Sequence, residues 1–141
     1  THVHLVFWAG HHATKSPGTH IALHKDGYGF GAGFWALDKE QLARMRAQFV
    51  SDEGKKISDV VDAVEAHGVQ LMAPQLARVP RGFDADVPYA NWLKYKGLVV
   101  RNARQPYDPA VFNNADKLRD FVVEICGNMS PLNRYLMEHV F

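Results

Sequence analysis

The sequence predicts an α+β domain, an antiparallel sheet from the N-terminal strands with several helices packed on it. Three observations carry this reading. Apolar and polar residues alternate with period two through the first third of the chain. An Asp26-Gly27 pair separates two of the alternating runs, a hairpin signal. The rest of the chain changes to apolar residues at three- and four-residue spacing, the period of an amphipathic helix.

The elements follow in order. "HVHLVFW" sets Val3, Leu5 and Phe7 on one face and His2, His4, Val6 and Trp8 on the other. "THIALHK" sets Ile21 and Leu23 against His20, Ala22 and His24. A two-residue turn at Asp26 and Gly27, both tolerant of positive φ, then pairs Lys25 with Tyr28, His24 with Gly29, Ala22 with Gly31 and His20 with Gly33. In that register Ile21, Leu23, Phe30, Ala32 and Phe34 form a core face, while the histidines lie beside a stripe of glycines.

Asp38 is the predicted N-cap of "KEQLARMRAQFV", whose Leu42, Met45 and Phe49 make one buried stripe. "ISDVVDAVEAHG" places Ile57, Val60, Val61 and Val64 at helical spacing and stops at Gly68. "PYANWLKYKG" reads as a short helix started by Pro88 and ended by Gly97. "LVVR" reads as a buried strand that carries Arg101 out at its far end. "NADKLRDFVVEICGN" and "SPLNRYLMEHVF" read as two more helices, the second capped by Ser130 and opened by Pro131.

A chain of 141 residues, 47% of them apolar, can bury one core, so residues 1–141 are expected to form a single domain. It begins at Thr1 rather than Met, and that domain is expected to lack part of its natural N-terminal portion. A terminal threonine can act as a nucleophile, but no acyl-transfer motif accompanies this one. Sixteen Lys and Arg against 15 Asp and Glu leave a formal charge of +1. That balance supplies no long-range attraction to nucleic acid or to an anionic membrane, and neither is an expected partner. No apolar run reaches the length of about eighteen residues that a membrane helix needs. The one cysteine, Cys126, lies in the apolar run "DFVVEICGNM" and suggests a buried thiol in a reducing, cytoplasmic compartment.

The histidines raise the question of a metal. His20 and His24 lie roughly 13 Å apart along one strand and cannot share an ion held at about 2.0 to 2.1 Å. His2 and His4 can, and a cluster of His2, His4 and His24 is the one geometry that survives, set against the plainer reading of histidines on a partly exposed sheet face. His11 and His12 are expected to be solvated loop residues. The glycine stripe lets either a packed helix or a ligand approach the backbone. It lacks the GxGxxG spacing of a dinucleotide loop.

The stretch "APQLARVPRGFDADVPYANWLKYKGLVVRNARQPYDP" interleaves cations with Phe83, Tyr89, Trp92 and Tyr95. Loop, helix and strand together can gather positive charge around one small anionic ligand, a phosphate or carboxylate. Arg81, bracketed by Pro80 and Gly82, and Lys96 are the primary candidates, with Arg78, Lys94 and Arg101 in support; Arg104 follows. The alternative is a set of solvated cations over the aromatics.

"SPGTHIALHKDGYGFGAGFWALDKEQLARMR" followed by "ARVPRGFDADVPYANWLKYKGLVVRN" resembles the uncharacterised family known as domain of unknown function 2461. The likeness covers residues 1 to 101 and rests on the PRGFDAD and LKYKG elements behind a glycine-rich strand ending in Phe34 and Trp35. It implies no activity, cofactor or catalytic residue. Three departures stand out. The family pattern has a stretch rich in Arg, Asp and Lys leading into a Tyr-Lys-Thr-His-like sequence, and this chain starts at its Thr1-His2. Members usually lack histidines at the positions of His20 and His24, and the region from "NARQPYDPAVF" onward is only loosely alike.

No GxSxG, HExxH or CxxC occurs, so serine-hydrolase, zincin and redox readings have no foothold. Asp84 and Asp86 offer a carboxylate pair or, more plainly, turn capping. Asp116, Asp120 and Glu124 read as a solvated helix face. Two functions are therefore expected in competition. One is a binding or enzymatic domain for a small anionic ligand. The other is a non-catalytic interaction module whose aromatics, such as Trp92 and Tyr89, dock a partner chain or the missing N-terminal segment.

Overall fold

The computed structural model describes residues 2–141; Thr1, and with it the reading of a terminal nucleophile, lies outside the described residues. Five antiparallel strands form one sheet in the order β1-β2-β3-β5-β4. They are β1 (His2–Trp8), β2 (Gly18–His24), β3 (Tyr28–Phe34), β4 (Gln70–Leu71) and β5 (Leu98–Arg101). The helices are α1 (Lys39–Phe49), α2 (Gly54–Glu65), α3 (Pro109–Phe112) and α4 (Ala115–His139), with a 3-10 turn at Ala90–Lys94. The α+β class expected from the alternation and its change of period is the one observed.

The hairpin turns one residue earlier than its Asp-Gly pair suggests. Leu23 pairs with Tyr28, Ala22 with Gly29, His20 with Gly31 and Gly18 with Gly33. Lys25 and Asp26 make the two-residue turn, and His24 donates its N–H to the Gly27 carbonyl at 2.8 Å. Neither Asp26 nor Gly27 takes a positive φ. Gly27 is small for another reason: a Cβ there would collide with the Gln105 carbonyl, and Arg104 bonds Asp26. Pairings thus slip by two places, which leaves every side chain on its expected face.

The core lies on the side carrying Ile21, Ala32, Leu98 and Val100. Met129, Leu132 and Leu136 of α4 pack on that face, with Ile57, Val61 and Val64 of α2 and Met45 and Phe49 of α1 behind them. Asp38 caps α1 through a reciprocal bond pair with Gln41, the capping box that stops the first turn from fraying. Asn133 ties the layers: its Nδ2 donates to the Thr19 hydroxyl at 3.1 Å, and its Oδ1 accepts the Gly33 N–H at 3.1 Å. The helical layer does not reach β1, so Val3 and Phe7 stay 59% and 42% exposed although their alternation marks a core face.

The two helices expected at the C-terminus are one, the 25-residue α4, with Pro131 inside it. Proline cannot donate to the carbonyl four residues back, here that of Gly127. The Ser130 hydroxyl donates to it instead at 2.9 Å, so the helix continues through the interruption. The expected short helix at Pro88–Gly97 contracts to the 3-10 turn, while β5 runs as read, with Leu98 and Val100 buried. No helix among the described residues is long and apolar enough to cross a membrane.

Candidate functional site

The sheet face turned away from the helices forms a hollow of about 1000 Å³. Its floor is Gly29, Gly31 and Gly33 of β3. On one side β2 contributes His20, Ala22 and His24, with His4 of β1 beyond them. The other bank carries Val99 and Arg101 of β5, then Asn102 and Arg104. Thr14 and Ser16 from the β1–β2 loop and Trp35 close the ends.

One rung defines the geometry: His20 pairs with Gly31, and Gly31 pairs with Arg101. Neighbouring strands stand about 4.7 to 4.9 Å apart, so the two flanking Cα atoms are roughly 9.5 Å apart with no side chain between them. The glycines are needed because β5 runs close. A Cβ on Gly31 would collide with the Val100 carbonyl, and Gly33, at φ 115°, would collide with that of Leu98. Of the two readings of the stripe, the helix lies on the opposite face, and the glycines, Gly29 half-buried and Gly31 and Gly33 buried, line the hollow.

Residues after β5 hold the second bank in line. Asn102 accepts the Phe30 N–H at 2.7 Å and donates its own N–H to the Phe30 carbonyl at 3.0 Å. Tyr28 and Gln105 exchange backbone bonds of 2.8 Å each, and the Tyr107 hydroxyl donates to the His24 carbonyl at 2.5 Å. These bonds carry the alignment past Arg101 and place Arg104 beside the turn. There it meets Asp26 at 3.2 Å, an exposed pair worth about 0–1 kcal/mol and so readily exchanged for another anion.

The hollow has one sign of charge. His4, His20, His24, Arg101 and Arg104 line it, and none of the chain's 15 acids does. Partial burial, and then the neighbouring His4, hold the His20 imidazole below the ordinary histidine value. Desolvation, then Arg104 and His2, lower His24 against an opposing pull from Asp26. Losing the imidazolium charge is what desolvation, and then positive neighbours, favour. A second hollow, about 480 Å³, lies between the hairpin and α4, and it includes Glu124 among its lining.

Of the five cations singled out in the sequence, Arg101 lines the larger hollow; Arg78, Arg81, Lys94 and Lys96 line neither hollow. Arg78 and Arg81 are exposed on the loop after β4. That loop is turned by Gly82 at φ 88° and anchored where the Arg46 guanidinium lies 5.5 Å from the Phe83 ring centre. Lys94 ends the 3-10 turn, its carbonyl accepting the Leu76 N–H at 3.0 Å. Lys96 is exposed, with its backbone N–H bonded to the Gln75 side chain at 2.8 Å. Sequence reasoning left Arg104 out of the anion contacts and weighed the histidines as metal ligands or as a partly exposed sheet face, not as anion contacts, although the alternation already put them on the glycine face.

The His2, His4 and His24 cluster does assemble, with ring centres 4.5 Å apart for His2 and His4 and 5.2 Å for His2 and His24. No group of three or more His, Cys, Asp or Glu among the described residues is arranged to hold a metal ion. Asp84 caps its own turn by accepting the Asp86 N–H at 2.8 Å. Asp116 and Asp120 face solvent beside Arg119. Cys126 is half-buried, and that burial pushes its thiol up, away from the reactive thiolate. Trp92 donates to the Ser58 hydroxyl at 3.1 Å and packs near Phe49, and Tyr89 covers Gly54, so both aromatics named for docking are engaged within the chain.

The family model described as "Conserved hypothetical protein (DUF2461)" matches residues 1–135, past the Arg101 limit of the likeness read from the sequence and into α4. No curated protein and no solved structure matches the chain.

Proposed function

The chain belongs to the DUF2461 family, and we propose that it binds a small anionic ligand in the glycine-floored hollow of its sheet, in the cytoplasm. The observation that carries this is the exclusion of every acid from a hollow that gathers two arginines and three histidines. A concave site of one sign concentrates ligands of the other. The volume suits an organic molecule carrying the anionic group, because Val6, Ala22, Val99 and Trp35 add apolar wall around the cations. Arg101, which pairs with Gly31, is the principal contact in this reading, its planar fork suited to two-point binding, and Arg104 is the second. The histidines are the groups on hand to move a proton.

A thermal-shift screen with phosphate, nucleotides and carboxylates tests it. Ligand at a hundred times its Kd adds about 2.7 kcal/mol, a shift of several degrees. Arg101→Gln should remove the shift and Arg81→Ala with Lys96→Ala should keep it. The reverse pattern would move the site to the loop after β4.

A non-catalytic interaction module is the second reading, favoured by β1 rather than by Trp92 or Tyr89. That edge strand exposes Val3, Leu5 and Phe7 together on one face, and Trp8 on the other. In this case no anion shifts the melting temperature, and β1 substitutions alter association instead.

A further inference from the structure

The anion-binding reading above leaves the ligand's charge state open, and the hollow's own make-up narrows it. Arginine at the Arg101 position is a permanent cation, whereas the opposite bank is histidine at each ionisable position: His20 and His24 on β2 and His4 on β1. Val6 stands directly opposite His20 on β1, and the charged and titratable groups around His20 are His4 diagonally on β1, Arg101 across β3 and His24 along β2, with Arg104 and its partner Asp26 at the turn. His2 adds a fourth ring against His4 and His24. Asp26 is the single acid in this set, and it is bonded to Arg104 rather than to a histidine. A monoanion is satisfied by Arg101 alone. A doubly negative group seated over Gly31 reaches both banks at once; with Arg104 paired to Asp26 at the turn, the bank opposite Arg101 meets the second charge when His20 is cationic.

We propose that the ligand carries a phosphate-type dianion, bound over Gly31 between Arg101 and His20, and that His20 takes up a proton from solvent as the group binds. This rests on the anion-binding reading but can fail without it. His20, disfavoured as a cation by burial and then by His4, becomes the cation once a counter-charge sits beside it. Binding of one proton steepens affinity toward about tenfold per pH unit on the alkaline side of the free histidine's titration.

The test is isothermal calorimetry of the full chain with sulfate, inorganic phosphate and acetate near pH 6 and near pH 7.5, in two buffers of different ionisation heat. Sulfate keeps both charges throughout, so its pH dependence reports the protein and not the ligand. Expected are sulfate and phosphate binding well above acetate, several-fold tighter binding of sulfate at the lower pH, and buffer-dependent heats that correspond to proton uptake. His20→Gln and His20→Asn, checked for folding by circular dichroism, should flatten the sulfate pH profile. Sulfate affinity that is independent of pH, or acetate binding as well as sulfate, overturns the inference and leaves the anion site standing. Binding of none of the three removes both.

Discussion

His20 and Arg101 face each other across Gly31, 81 positions apart in sequence and one strand apart on either side of a residue with no side chain. The relationship depends on a glycine that cannot be replaced without moving β5. The Val100 carbonyl already occupies the direction in which a Cβ would grow.

Gly31→Ala should therefore cost stability through strand displacement, by about 1–3 kcal/mol as for other overpacked sites. Urea denaturation measures it. Wild-type stability in this variant would mean that the β3–β5 approach is looser than described.

Asn133 joins sheet to helix through two bonds, to Thr19 and to the Gly33 N–H. Asn133→Ala should cost about 1–3 kcal/mol, because the buried Thr19 hydroxyl loses its partner and Gly33 loses its acceptor. Hydrogen exchange at the Gly33 amide should quicken in parallel.

Pro131 gives a prediction of the opposite sign. Restoring an N–H at that position lets it bond the Gly127 carbonyl, so Pro131→Ala should stabilise α4 by about 1 kcal/mol even with Ser130 already bonded there. A thermal melt that falls would show that the proline is needed for the path of the helix.

The pH dependence follows from the depressed histidines. His20 and His24 prefer to be neutral in the folded chain. Below about pH 6.5 the unfolded chain then binds more protons than the folded one, and stability is lost as pH falls through and below that value. Chemical denaturation of the anion-free protein at about pH 7.5 and pH 5.5 should show the loss. The His20→Gln, His24→Gln double variant should show less of it, and added sulfate should restore part in the wild type.

The faces of the sheet were legible because side-chain alternation survives a register slip of two places. His20 and the glycines were on one face in either register. What alternation could not supply was the neighbour of β3. β5 arrives more than sixty residues after β3 ends, so the meeting of Arg101 with His20 needs the tertiary pairing and not a local signal. The same limit explains the emphasis on Arg81 and Lys96, which share a stretch of sequence with Arg101 but no rung of the sheet. The single α4 was hidden by a proline that normally marks a helix start, and by a serine whose hydroxyl serves an interior carbonyl rather than a cap. The exposure of the apolar side of β1 could not be read from the sequence, because a pattern shows which residues share a face, not whether a helix covers it.

The most direct measurement is amide chemical-shift mapping by NMR as phosphate is titrated into the protein. The account predicts saturable shifts at Gly29, Gly31, His20 and Arg101, abolished in Arg101→Gln. Shifts centred on Arg81, Gly82 and Lys96, or no saturable shift anywhere, would contradict it.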